Sequence, residues 1–162
     1  MWTAGYSRAE LDRAQEEFDL IFPSDLVDLL RDRRPAEGYD WRIDHEKIRE
    51  MLAWPLQGIL FDIEQNGFWL SEWGSRSEVE EERREIATVE VGKAPKLIPL
   101  VSHRYLPAEP NEPGNPVFSI YQTDIIHYGA NLEHYFRNEF GSWSSLEDSA
   151  YRHIRFWSDL AG

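Results

Sequence analysis

Residues 95–140 limit what this chain can become. The stretch opens with the apolar run Leu97-Ile98-Pro99-Leu100-Val101, continues through Arg104-Tyr105-Leu106, and crosses a Pro/Asn/Gly-rich loop at residues 107–116. Two β-rich runs follow, residues 117–121 and 125–128, and Asn131 is placed to start a helix. Short runs of β-branched and aromatic residues, separated by turn formers and closed by a helical pattern, predict an antiparallel sheet capped by a packed helix. A two-residue turn at Gln122-Thr123 pairs Tyr121 with Asp124 and puts Phe118, Ile120, Ile125 and His127 on one face. That turn lacks the Gly or Asn such turns favour, so a longer loop in shifted register stays open.

The rest of the chain reads as helices that cover this sheet. Ser7-Arg8-Ala9-Glu10 is a capping box with Tyr6 and Leu11 as a hydrophobic staple, opening a helix to about Phe18. Pro23 or Ser24 starts a second helix with Leu26, Leu29 and Leu30 inward and Asp25 near its positive end. Pro35 and Gly38 mark a loop within residues 31–40, and residues 41–43 suit a short strand. Asp44 caps a third helix burying Ile48, Met51 and Leu52, and Pro55 predicts a break or kink at Trp54. Leu56, Ile59, Leu60 and Ile63 recur at helical spacing, with Asn66-Gly67 as the stop. The alternation of Ile59, Phe61 and Ile63 leaves a strand open over residues 56–66.

Residues 68–70 read as a strand leading into Ser71-Glu72-Trp73-Gly74. Ser77 with Glu80 forms a second capping box, opening a charged helix to about Val91 with a thin apolar stripe of Val79, Ile86 and Val89. Asn131 caps a helix burying Leu132, Tyr135, Phe136 and Phe140. Residues 146–160 suit one more helix, with Ile154 and Trp157 inward. The expected fold is α+β: one domain over residues 1–162, with a mainly antiparallel sheet of about four to six strands, flanking helices and a C-terminal helical extension.

Charge and composition narrow the function classes. Net charge is −13, and residues 1–92 hold 22 of the 30 acids but 11 of the 17 bases, so the helical half is the acidic half. Affinity for a phosphate backbone comes from Lys and Arg, so direct nucleic-acid binding is disfavoured. A basic protein partner would instead be attracted, although acid runs are most often only solvated faces. There is no cysteine, which excludes thiolate chemistry and suits a cytoplasmic protein. No secretory pattern opens the chain, and the apolar window at residues 51–61 is too short for a membrane span.

No reaction is written in the sequence. His45, His103, His127, His134 and His153 fall in no metal-ligand spacing, and no nucleophile elbow, phosphate loop or dinucleotide fingerprint occurs, so no cofactor is expected. Asp62 and Glu64 converge only on a strand; on a helix they diverge. His103, Arg104, Tyr105 and Asp124 form the strongest polar group. An Arg–Asp bridge locking strand pairing is its ordinary explanation, and a small-molecule or hydrolytic pocket its alternative. In 68–73 (Phe68-Trp69-Leu70-Ser71-Glu72-Trp73), Trp69 and Trp73 beside Glu72 have the composition of a binding hot spot. Tyr121, next to the hairpin turn, extends the set. The partner-contact candidates are therefore Trp69, Glu72, Trp73, Arg104, Tyr105, Tyr121 and Asp124.

A capped helix followed by Ile21-Phe22-Pro23-Ser24-Asp25-Leu26, the Leu97–Leu100 run, the hairpin and the closing Asn131-Leu132-Glu133-His134-Tyr135-Phe136 together resemble the SUKH superfamily. That group unites fungal cell-wall-assembly regulators with bacterial toxin-immunity domains. The likeness covers residues 7–140; residues 141–162 and the charged helix are additions, and the family's Asn-Gly-Gly turn is replaced by residues 33–38. The resemblance implies an α+β fold without catalytic residues and, in its bacterial branch, a protein that neutralises a toxin, often a nuclease, by binding it. A regulatory or scaffolding role is what the other branch implies.

Overall fold

The structure, a computed structural model, describes residues 1–141, 144 and 151–161. Four strands form the antiparallel sheet β3-β4-β5-β6: β3 (Leu97–Val101), β4 (Arg104–Pro107), β5 (Val117–Tyr121) and β6 (Asp124–Gly129). All five residues of β3 are buried, because helices cover both faces of the sheet. On one face, α1 (Arg8–Phe18), α2 (Ser24–Asp32) and α5 (Leu132–Phe140) enclose Ile98, Leu106 and Val117 with Leu11, Leu26, Trp41 and Tyr135. On the other, α3 (His45–Gln65), α4 (Glu80–Gly92) and the single turn α6 (Trp157–Leu160) enclose Tyr105, Phe118, Ile120 and Ile125 with Ile59, Ile63, Ala87 and Trp157. Adjacent residues of β4, Tyr105 and Leu106, thus belong to opposite cores, as the two-residue period of a strand requires. The protein is α+β.

Several local signals act as their chemistry dictates. The Ser7 hydroxyl accepts from Glu10 N–H at 3.1 Å while the Glu10 carboxylate accepts from Ser7 N–H at 2.8 Å, closing both halves of the capping box. Asn131 accepts from His134 N–H at 2.8 Å and starts α5. The β5–β6 hairpin has the expected register, Tyr121 opposite Asp124 and Ile120 opposite Ile125. Its tight turn is made without glycine by placing Gln122 at φ +56°, the sign pattern of a type II′ turn. A side chain in that region costs about 1–2 kcal/mol. Part of this returns as chain entropy if glycine replaces it, so Gln122→Gly is expected to raise stability by about 0.5 kcal/mol in urea unfolding.

Tertiary contacts overrule other local signals. α3 runs through Trp54 and Pro55 as one helix, so the break that Pro55 could have caused does not occur. Proline at 55 removes the N–H that would reach the Met51 carbonyl four residues earlier. The Tyr105 hydroxyl donates to that carbonyl at 2.6 Å and takes the missing donor's place. Residues 56–65 are helical, which settles the helix-or-strand ambiguity, and Asn66 with Gly67 (φ +67°) ends the helix. The strand expected at 41–43 is a turn. Here the Tyr6 hydroxyl accepts from Trp41 N–H at 3.1 Å, and the Asp40 carboxylate accepts from Arg42 N–H at 3.0 Å. In place of a plain loop, Arg33–Pro35 forms β2 and pairs antiparallel with β1, Trp2–Ala4.

Residues 68–70 are not a strand but an irregular link into a 3₁₀ turn at Ser71–Trp73. The capping box expected at Ser77 and Glu80 does not form, because α4 starts later, with Val79 at its N-cap. Ser77 instead accepts from Val79 N–H at 3.0 Å and donates to Glu82 at 2.5 Å. The buried edge of α4 is Ala87, with Val91 packed alongside, while Val79 and Val89 lie exposed. The helix is held to α3 by Arg83, which bonds both Glu64 oxygens at 2.9 and 2.5 Å. Phe140 is only half-buried.

The helix expected across 146–160 shrinks to α6 from Trp157 onward; residues 151–156 are not helical, and 145–150 lie outside the described residues. Ile154 and Trp157 are inward as expected. The tail is not an appendage. Trp157 donates to the Pro95 carbonyl at 2.8 Å, and Arg152 donates to Asn115 at 2.6 Å, where Asn115 holds the 107–116 loop by bonding the carbonyls of Pro107 and Pro110.

Candidate functional site

The sequence candidates separate into two groups. The C-terminal end of α3 carries Asp62, whose buried carboxylate accepts from Thr123 N–H at 2.8 Å, Thr123 hydroxyl at 2.6 Å and Asn66 at 2.7 Å. These bonds bring the β5–β6 hairpin tip onto the helix. Burial alone raises the Asp62 pKa, yet the hydrogen bonds outweigh it and hold the carboxyl below its ordinary range, so it is ionised at neutral pH. Gly58, one turn earlier, lets the tip approach: a Cβ there would lie 2.7 Å from Gln122 Cα. Glu64 points elsewhere, to Arg83, so Asp62 and Glu64 do not pair as acid and base.

A cleft of about 480 Å³ opens at this junction, lined by Asp62, Asn66, Phe68, Tyr121, Gln122, Thr123 and Asp124. Phe68 continues into the aromatic segment: its ring lies 6.1 Å from Trp73, which meets Trp69 edge-on at 5.1 Å. Trp69 donates to the Gly74 carbonyl at 2.8 Å, which fixes its indole with part of the ring in solvent. On the hairpin side Tyr121 is 52 % exposed and packs edge-on against Trp54 at 5.6 Å, and Trp54 donates to the Ile120 carbonyl at 2.8 Å. Trp69, Glu72, Trp73, Tyr121 and Asp124 therefore share one end of the molecule. The 3₁₀ turn packs against α4, whose exposed Glu80, Glu81 and Glu82 border the same end.

Arg104 and Tyr105 do not join them. Tyr105 is fully buried against α3 and presents nothing to a partner, which removes it as a contact candidate. Arg104 points to the other sheet face, where its guanidinium lies 4.1 Å over the Tyr128 ring and donates to Ser119 at 3.2 Å and His103 at 2.7 Å. Among the described residues Arg104 forms no salt bridge, so the expected bridge to Asp124 is replaced by ring stacking. Because neighbouring strand residues face opposite ways, His103, Arg104, Tyr105 and Asp124 cannot converge on one substrate.

The histidines are dispersed as well. His127 bonds Ser158 at 2.9 Å and stacks on Tyr151, whereas His134 accepts from Ala130 N–H at 3.0 Å. Among the described residues, no group of three or more His, Cys, Asp or Glu is placed to hold a metal ion. No described helix is long and apolar enough to cross a membrane. Asn66, Gln122 and Thr123 are not among the sequence candidates, since a helix stop and a turn lacking glycine carry no local sign of meeting, and Phe68 stands out only as the first residue of the aromatic segment. The structure defines an α+β protein with an aromatic, acid-bordered end. No protein-family model, curated protein or solved structure matches this chain.

Proposed function

We propose that the protein is a non-enzymatic binding module, an immunity-type inhibitor that occludes a basic toxin, such as a nuclease, with its acidic, aromatic end. The observation that carries this reading is the gathering of Trp69, Trp73, Phe68 and Tyr121 beside Glu72, Asp124 and the acidic start of α4. Partly exposed Trp and Tyr offer large contact area at small ordering cost, and the Trp69 indole N–H is already fixed on the Gly74 carbonyl. The surrounding carboxylates favour encounter with a cation-rich surface and weaken as salt rises. The SUKH likeness of residues 7–140 supports the same reading, and a chain without cysteine suits a cytoplasmic setting. Under its other branch, a regulatory or scaffolding protein would use this end on a non-toxic partner.

Co-expression with the product of the adjacent gene tests the proposal. A complex that weakens in salt is expected, with affinity falling about thirtyfold in a Trp69→Ala/Trp73→Ala double variant, a typical loss for paired aromatic anchors. The inhibitor reading goes if neither neighbouring product binds and neither is toxic alone. Turnover of a metabolite by the purified protein would overturn the non-enzymatic assignment.

A further inference from the structure

We propose that the cleft between the α3 C-terminus and the β5–β6 hairpin tip is a socket for one arginine side chain presented by the partner. The assignment rests on the binding reading above and narrows it to a chemical group. Two aromatic rings, Phe68 and Tyr121, line the cleft together with the carboxylates of Asp62 and Asp124, and none of its lining residues is Lys or Arg. Aromatic surface beside carboxylate oxygens is what a planar guanidinium matches: its face stacks on a ring while its N–H fork reaches the oxygens. An ammonium is more strongly hydrated and gives up more on entering such a site.

The groups have distinct roles. Asp62 is committed to Thr123 and Asn66, so it supplies a fixed negative charge rather than a new bond. Asp124 is exposed and offers the accessible oxygens, and the side-chain amides of Asn66 and Gln122 add neutral acceptors. His103, whose ring lies 6.0 Å from Tyr121, does not compete as a cation: burial, with Arg104 beside it, lowers its pKa and leaves it neutral at physiological pH. The walls are preformed. Tyr121 is braced by Trp54 and Phe68 by Trp73, and the tip is tied to α3 through Asp62 and the close approach at Gly58. Preformed walls reduce the ordering cost of receiving a flexible side chain.

The test titrates the full-length ¹⁵N-labelled protein with acetyl-Gly-Arg-Gly-amide and with its norleucine and lysine counterparts. Saturable amide shifts centred on Asn66, Phe68 and residues 121–124 are expected for the arginine peptide, with the norleucine peptide at least about tenfold weaker. Asp124→Asn and Tyr121→Ala should each weaken arginine binding roughly fivefold. Both positions are exposed, so unchanged spectra elsewhere verify that the variants fold. The socket is refuted by an absence of saturable shifts, by shifts located elsewhere, or by equal response to norleucine. Equal affinity for the lysine peptide would also refute it, because charge alone would then suffice. The outcomes separate from those of the wider reading: a protein complex that survives Asp124→Asn and Tyr121→Ala but is lost in the Trp69→Ala/Trp73→Ala variant removes the socket and leaves the binding module standing.

Discussion

Asp62→Ala should destabilise the fold by about 3 kcal/mol, because it removes a buried carboxylate that three donors share and strands the Thr123 N–H. Urea unfolding followed by tryptophan fluorescence measures this directly. Bonds to a charged acceptor are individually worth about 1.5–3 kcal/mol, and the three act on one group, so they do not simply add. Asp62→Asn is the sharper probe. It keeps the shape but turns one acceptor oxygen into a donor facing other donors, and it cannot ionise.

The folded-state pKa of Asp62 lies below its unfolded value, so the contribution of its charge is present above about pH 4, the ordinary carboxylate range. It is lost as pH falls through the folded-state pKa. The stability gap between wild type and Asp62→Asn should therefore be constant near neutrality and shrink in acid. A gap that widens on acidification would reverse the assigned sign.

The second large effect joins two residues fifty positions apart. Tyr105→Phe is expected to cost about 2 kcal/mol, the penalty for leaving the buried Met51 carbonyl without a donor. In a Pro55→Ala background the new N–H can reach the same carbonyl, so the identical substitution should cost less than about 1 kcal/mol. A double-mutant cycle reads the difference as a coupling of about 1 kcal/mol. Zero coupling would mean that Tyr105 acts by packing alone and that the unbroken α3 needs another explanation.

Both results concern points where local rules and long-range contacts meet. The capping box at Ser7 and Glu10 was legible because donor and acceptor are three residues apart and nothing distant competes. The β5–β6 register was legible because alternation of Phe118, Ile120, Ile125 and His127 admits one buried face, and a two-residue turn was sterically possible even with Gln122. Period-two alternation also separates Arg104 from Tyr105, so that grouping was decidable from the strand pattern itself. The pairing of Trp2–Ala4 with Arg33–Pro35 was not, since three-residue strands show no period and their partners lie thirty residues away.

Of the candidate site, the sequence supplied the aromatic segment at residues 68–73 and the acidity of the helical half, because composition states those outright. It did not supply the cleft, which exists only where Thr123 meets Asp62 and Gln122 meets Gly58. Local chemistry by itself determined the starts of α1, α2 and α5, the hairpin register and the α+β class: each depends on groups a few residues apart, whose geometry the backbone already restricts. Only the tertiary structure decided that α3 passes through Pro55, that Tyr105 is sealed while Tyr121 is open, and that the hairpin tip stands beside the tryptophans. Those outcomes depend on donors and acceptors brought together by burial, and a buried polar group takes whatever partner the fold places within reach.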